Sequence, residues 1–338
     1  MRTTRSLAFL LLSLVVLAAC SAPAAAPSEP EKIVVYSGRS ESLVSPFFTQ
    51  FTEDTGVEVE VRYGDTAEMA ATILEEGQNS PADLFFAQDA GALGALSAAD
   101  MLADLPESTL NVVEPRFRSV AGDWVGVSGR ARVVVYNTNN LSEADLPESI
   151  TAFVDPQWRG RVGWAPTNGS FQAFVSAMRV QLGEEATRNW LTGMIANDVR
   201  VYERNAAIVD AVASGEIDVG FVNHYYLYQL QRESGNTLSA ANYYPTNGDV
   251  GALINIAGAA ILGNADNPAA AQRLIDYMLS ESGQRYFAEQ TFEYPLTAEV
   301  APAADLKPLN AIQTPDIDLN TLRDLEGTLQ LLQESGAL

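Results

Sequence analysis

From Lys32 onward the chain alternates short apolar runs with stretches of helical periodicity, an alternation that points to an α/β fold. The first unit reads as a strand at 32–36 (KIVVY), a turn at Ser37-Gly38, a helix over 41–54 with Ser40 as its N-cap, a stop at Gly56 and a strand at 57–62 (VEVEVR). Asp65-x-x-Glu68 has the form of a capping box and opens a helix over 66–76, which buries Met69, Ile73 and Leu74 and ends at Gly77. A strand at 83–87 follows Ser80-Pro81, and the Gly/Ala-rich 90–100 packs as a short helix. Continuous β-branched runs at 124–127 and 131–136 suit buried strands. Further helices are expected after Ser170, after Asn205 (closed by Gly215) and from Asn267-Pro268 to about Ser280, with a strand at 218–222. Segments 131–136 and 250–262 are expected to cross between two such α/β units, which places a ligand cleft at the strand ends.

The N-terminus predicts export. Arg2 and Arg5 precede an apolar run from Leu7 to Ala19 that stops at Cys20, the pattern of a secretory signal peptide over 1–19. That run is too short for a membrane-spanning helix, which needs about 20 residues. Leu17-Ala18-Ala19-Cys20 has the form of a bacterial lipobox, so Cys20 is the expected lipidation site and 20–31 the tether to the membrane. Cys20 is the one cysteine in the sequence, so no disulfide is available and stability must come from packing. Without Arg2 and Arg5 the 20 basic residues become 18 against 43 acidic, a net charge of about −25. Such a chain lacks the basic face that nucleic acid requires. Enzymatic chemistry is poorly supported too, since His224 is the sole histidine and no His/Cys cluster exists. Nothing suggests an oligomer interface, so a monomer is expected.

Six segments, VYSGRSE (35–41), SPADLFFAQDAGAL (80–93), ARVVVYNT (131–138), PTNGSF (166–171), RNAAIVDAVASGEIDVGFVNHYY (204–226) and EYP (293–295), together resemble the periplasmic ferric-ion-binding proteins of ABC importers, in family order. The resemblance implies a type II, two-lobed periplasmic-binding-protein fold with a cleft between lobes joined by crossing strands. The expected lobes are 32–130 with 256–306 and 131–255 with 307–338. It implies ferric iron, Fe(III), carried outside the cytoplasm with carbonate or phosphate as a shared anion and delivered to a membrane permease. Tyr225 and Tyr226 match the metal-binding pair. Asn168, Ser170, Asn205 and Asn223 match anion-binding positions, and Arg39 would reach the same anion from the other lobe. Two departures stand out: Ser40 replaces the family's His or Tyr, and Gln88 replaces its Glu. Gln88, Asp89, Tyr36 and Tyr136 are the candidates for completing the coordination.

The chemistry of the residues agrees with that implication. Ferric iron is small and hard and prefers oxygen donors, and phenolate is a strongly basic anionic oxygen whose proton a trivalent ion displaces. Adjacent side chains point apart in a strand and diverge by about 100° in a helix, so Tyr225 and Tyr226 converge only at an irregular strand-to-helix junction. Helix starts at Ser170 and Asn205 offer free N–H groups to an anion. Tyr243-Tyr244, expected in a loop before Pro245, serves as an internal control. The competing reading is a protein of the same fold that binds a small organic anion or another metal complex through the same helix starts and Arg39.

Overall fold

The computed structural model describes residues 31–303 and 305–338; the expected signal peptide, Cys20 and the tether up to residue 30 lie outside the described residues. The chain opens with β1 (Lys32–Ser37), α1 (Glu41–Thr55), β2 (Glu58–Tyr63), α2 (Thr66–Glu76) and β3 (Leu84–Ala87). Helices α3 (Ala90–Ala98) and α4 (Glu107–Leu110) lead to the long strand β4 (Val125–Asn137). The middle of the chain supplies β5 (Val162–Trp164), α5 (Gly169–Leu182), α6 (Glu184–Ala196), β6 (Arg200–Val201), α7 (Asn205–Ser214) and β7 (Val219–Asn223). After α8 (Tyr225–Ser234) and β8 (Ala240–Tyr243) come β9 (Ile254–Ile261), α9 (Pro268–Leu279), α10 (Glu281–Glu289), β10 (Tyr294–Pro295) and α11 (Leu325–Ser335).

The strands run in the order β2-β1-β3-β9-β4-β7-β5-β6, with β8 and β10 also on β4. β1 pairs in parallel with β2 and β3, as βαβ units require, and β3 pairs antiparallel with β9. The hinge of this arrangement is β4. Its first half, to Ala131, pairs with β9, while Arg132–Tyr136 pair with β7. One strand thus belongs to the sheets of both lobes. The two separate runs expected at 124–127 and 131–136 are this single strand, because each polar residue in the apparent break finds a partner: Ser128 donates to Glu293 and Arg130 to Ser170. The other expected crossing, 250–262, is not a continuous strand. β9 pairs within the first sheet only, and the chain reaches it from β8 through a helical turn at Val250–Ala252.

Local rules account for most elements. Gly56 ends α1 at φ 76°, a left-handed conformation that costs glycine little. The buried face of α1, Val44, Phe47, Phe48 and Phe51, packs on Tyr277 and Phe287, with ring centroids 5.2–5.4 Å apart for Phe47 and Phe51. Each such phenyl ring contributes about 1.5–3 kcal/mol by burial. In α2 the buried positions are Thr66, Met69, Ala70 and Ile73, an i, i+3, i+4, i+7 stripe. Leu74 falls beyond its edge and is 44% exposed, contrary to expectation. Neither Ser40 nor Asp65 makes a side-chain cap bond, although each stands at the N-cap. The N-cap of α7 is Arg204, so Asn205 is the first helical residue.

The two expected lobes touch where the start of α5 meets α2 and α3. Asn168 Nδ2 donates a long hydrogen bond, 3.5 Å, to Gln88 Oε1. Beside it, a Cβ at Gly169 would lie 2.9 Å from Asp89 Oδ2 and 3.1 Å from Thr66 Cβ, so glycine permits the approach. Gly169→Ala is expected to oppose this contact by about 1–3 kcal/mol, an overpacking cost, while leaving each lobe's interior unchanged. Small-angle scattering checks it: the variant should hold its lobes wider than wild type under ligand-loaded conditions, with an unchanged apo melting temperature.

Candidate functional site

β7 ends at Asn223, His224 already has helical backbone angles (φ −55°, ψ −37°), and α8 begins with Tyr225. At this junction the two tyrosine rings do converge: their centroids are 4.2 Å apart at an interplanar angle of 31°. Tyr225 is buried, and burial, followed by the neighbouring Tyr226, raises its phenol above the ordinary range. Tyr226 lines a cleft of about 1130 Å³ whose walls include Arg39, Ser40, Gln88, Asn168 and Tyr286.

His224 pins the junction. Its Nδ1 accepts the N–H of Ala131 at 3.1 Å, in the middle of β4, and its Nε2 lies 2.8 Å from the carbonyl of Phe292. Acceptance at Nδ1 assigns the proton to Nε2. The ring stacks on Tyr294 with centroids 4.6 Å apart, and burial pushes its pKa down to about 4. Asn242 Nδ2 donates to the His224 carbonyl at 2.8 Å. The sole histidine is therefore a satisfied structural side chain, as its isolation in the sequence suggested.

Three buried arginines surround the tyrosines. Arg39, expected to reach the anion from the other lobe, lines the cleft but is 2% exposed, and its Nη2 donates to Glu293 Oε1 at 2.7 Å. Burial lowers its pKa, but the charge of Glu293, then that of Tyr225, reverses the balance and raises it. Arg130 and Arg132 stand two apart on β4 and so share a face. Arg130 donates from Nη1 to Ser170 Oγ (3.0 Å) and from Nη2 to the Ile256 carbonyl (2.9 Å). Arg132 donates from Nη2 to the Phe221 carbonyl (2.9 Å), lies 5.5 and 5.1 Å from the ring centres of Phe171 and Phe174, and is pushed down to about 9 by burial. Nε of all three, and Nη1 of Arg39 and Arg132, have no hydrogen-bond partner. Buried guanidinium N–H groups without acceptors are costly, and an anion placed beside the tyrosines could supply the missing acceptors. Sequence reasoning missed Arg130, Arg132 and Glu293. The signal was the Arg-x-Arg at the head of a buried β-branched run.

The four expected anion residues come together. Asn168 caps α5 by accepting the Ser170 N–H at 3.1 Å and also accepts from Asn205 Nδ2 at 3.1 Å. Ser170 Oγ accepts from Asn223 Nδ2 at 3.0 Å, alongside Arg130. Asn223 faces Arg132 across the β4/β7 pairing, so the cluster and the arginines share one floor.

Other candidates go elsewhere. The Tyr36 hydroxyl donates to Glu76 Oε1 and accepts from Arg62, at the far end of α2 from the lobe contact. Tyr136 sits near the end of β4, with Glu143 the charge it feels. Neither joins the pair. Gln88 lines the cleft, and Asp89 caps α3 by accepting the Ala92 N–H at 3.0 Å, its carboxyl pushed up to about 6 by burial. Tyr243, expected in a loop, is the last residue of β8 and pairs with Val134. Among the described residues no group of three His, Cys, Asp or Glu side chains is placed to hold a metal.

Residues 47–314 match the family of bacterial extracellular solute-binding proteins. The chain is 36% identical over 324 residues to the major ferric iron-binding protein of Neisseria meningitidis serogroup A, spanning 95% of this chain and 97% of that one. Iron-bound HitA from Pseudomonas aeruginosa superposes with a TM-score of 0.87 at 35% identity, over 91% of this chain and 100% of that one. The Trichodesmium protein IdiA (FutA), solved with iron and citrate ligands, superposes with a TM-score of 0.76 at 28% identity, over 90% and 99%. These relatives are solute-binding proteins and not enzymes. The chain belongs to the bacterial extracellular solute-binding proteins, and among them to the ferric-binding-protein family with its type II two-lobed fold.

Proposed function

We propose that this protein is the extracytoplasmic binding component of an ABC importer, which captures ferric iron with a small shared anion through Tyr225 and Tyr226 and passes it to a membrane permease. The observation that carries the reading is the pair of tyrosine rings, 4.2 Å apart, of which Tyr226 lines the cleft together with Arg39, a buried arginine with unpartnered N–H groups. Relatives described as ferric iron-binding proteins over nearly the whole chain support it.

Charge balance explains why an anion belongs in the site. Three guanidiniums against the carboxylates of Glu293 and Asp89 leave one positive charge, and ferric iron on two phenolates adds another. A dianion such as carbonate or hydrogen phosphate would neutralise both, held by Arg39, Arg130 and Arg132 beside Asn168, Ser170, Asn205 and Asn223. Ser40 and Gln88 supply no anionic ligand, so the anion must also occupy coordination positions on the metal. The proposed lobes are 32–130 with 256–306 and 131–255 with 307–338, with the turn Leu319–Arg323 resting against α3. Attachment through Cys20 and a monomeric carrier belong to the same proposal; among the described residues no helix is long and apolar enough to cross a membrane. The second reading, an organic anion without iron, draws on the same arginines and leaves the tyrosine pair without a charge-based role.

Metal analysis and a visible spectrum of the protein loaded with ferric citrate test the choice. Tyr225→Phe and Tyr226→Phe keep the ring and remove the oxygen, so each should retain its fold, weaken iron binding by at least a hundredfold, or about 2.7 kcal/mol, and leave only about half of the tyrosinate-to-iron colour in what iron it holds. Tyr243→Phe should bind as wild type. Wild-type affinity and colour in both pair variants would overturn the tyrosine pair as ligands, and a wild-type protein that takes up neither iron nor colour would favour the organic anion.

Withdrawing carbonate and phosphate should shorten iron retention and shift the absorption band, and restoring either should reverse the change. Loading should also release protons, because phenols ionise as the metal binds. Retention that ignores the anion supply would refute the shared-anion part of the reading.

A further inference from the structure

A single short segment, Thr291–Tyr294, holds both halves of the site. Glu293 is fully buried, and each of its oxygens is engaged by protein donors: Oε1 by Arg39 Nη2 at 2.7 Å, Oε2 by Ser128 Oγ at 2.7 Å and by Thr291 Oγ1 at 3.3 Å. Its neighbours on either side hold the tyrosine junction, through the Phe292 carbonyl on His224 Nε2 and the Tyr294 ring stacked on the same imidazole. Helix α8 is tied to the same strap by Gln229 Nε2 on the Thr291 carbonyl at 3.0 Å and by Tyr228 stacked on Phe292 at 5.8 Å. Phe292 has φ 56°, a left-handed conformation that a bulky residue adopts only when its surroundings impose it. Such strain marks a segment whose path is dictated by the contacts it must make.

We infer that Glu293 is the positioning residue of the anion site: it fixes the fork of Arg39 so that Nε and Nη1 remain directed to the anion shared by the metal, and it is not itself a ligand. An unrestrained Arg39 has many rotamers and no other acceptor for Nη2. Held by one carboxylate oxygen, it keeps the planar geometry that a second, exogenous anion can meet through two N–H groups. The same strap carries the tyrosine junction, so the arginine of one lobe and the tyrosines of the other stay in register through a covalently continuous piece of chain. The inference rests on the proposed reading of the site as an anion-assisted one, and its test separates the two.

A double-mutant cycle on the full chain decides it, with phosphate affinity of the iron-free protein measured by calorimetry and the absorption band of the iron-loaded protein as a second readout. Glu293→Gln keeps the shape and removes the charge; it should weaken phosphate binding about tenfold and shift the band. Arg39→Gln should weaken it at least as much. In the Arg39→Gln background, Glu293→Gln should change phosphate affinity less than about twofold, because it acts through Arg39. Ser128→Ala removes one support of Glu293 while leaving its charge, and should weaken phosphate by a smaller factor if Glu293→Gln proves unstable. Additive losses in the cycle, or a lowered melting temperature in Glu293→Gln and Ser128→Ala with phosphate affinity and band unchanged, would overturn the inference. Coupled losses of phosphate binding in a wild-type background that takes no iron would overturn the iron reading and still support the role of Glu293.

Discussion

Two phenols that are adjacent in sequence can face one point only if the backbone between strand and helix turns sharply and is held there. The hydrogen bond from the Ala131 N–H to His224 Nδ1 supplies that restraint at the place where β4 passes from one sheet to the other. Phe292, Tyr294 and Asn242 close around the same residue, so the junction is anchored to the hinge strand, to the strap before β10 and to β8 at once. A histidine held neutral by burial is suited to this use, since one ring nitrogen accepts while the other donates. The tyrosines, the cleft that Tyr226 lines and the arginines on β4 all take their positions from this one crossing.

Burying three guanidiniums in one region costs several kcal/mol per ion unless the charges are compensated. Arg39 has a full carboxylate partner in Glu293, whereas Arg130 and Arg132 have carbonyl and hydroxyl acceptors only. The surplus positive charge is tolerable in a protein whose ligand brings the missing negative charge. On the proposed reading the empty protein gives up stability for affinity toward an anion, and ligand binding should accordingly stabilise the fold through linkage.

Much of the scaffold was legible in the sequence because it obeys local rules. The helix at 66–76, bounded by Asp65 and Gly77, came out at its observed limits, and Asn168, Ser170, Asn205 and Asn223 could be singled out because they stand at helix starts and a strand end and match the resembling family; the structure brings them together in one cluster. The tyrosine pair needed the resemblance to a family together with the recognition that a junction, and neither a strand nor a helix, lets neighbours converge. What stayed hidden depends on long-range pairing. Glu293 lies 254 positions from Arg39, and nothing local announces that a carboxylate in EYP completes a guanidinium on the first turn. Arg130 and Arg132 disappeared into a run read for its valines, although their spacing placed both on one face of a strand that has no exposed side. Tyr36 and Tyr136 illustrate the converse: residue type qualified them as ligands, and only the fold showed that the Tyr36 hydroxyl points to Glu76 and that Tyr136 pairs with Val219, at the opposite end of β7 from Asn223.

The central claim is that both phenolates of the β7–α8 junction bind the same ferric ion together with an exogenous anion. Resonance Raman spectroscopy of the iron-loaded protein, excited in the visible band, addresses it directly. The account predicts enhanced tyrosinate ring modes that shift when ring-deuterated tyrosine is incorporated, halve in either single Phe variant, and accompany an anion mode that shifts with isotopically labelled carbonate or phosphate. A coloured, iron-loaded protein without tyrosinate modes, or with modes insensitive to both Tyr225→Phe and Tyr226→Phe, would contradict it.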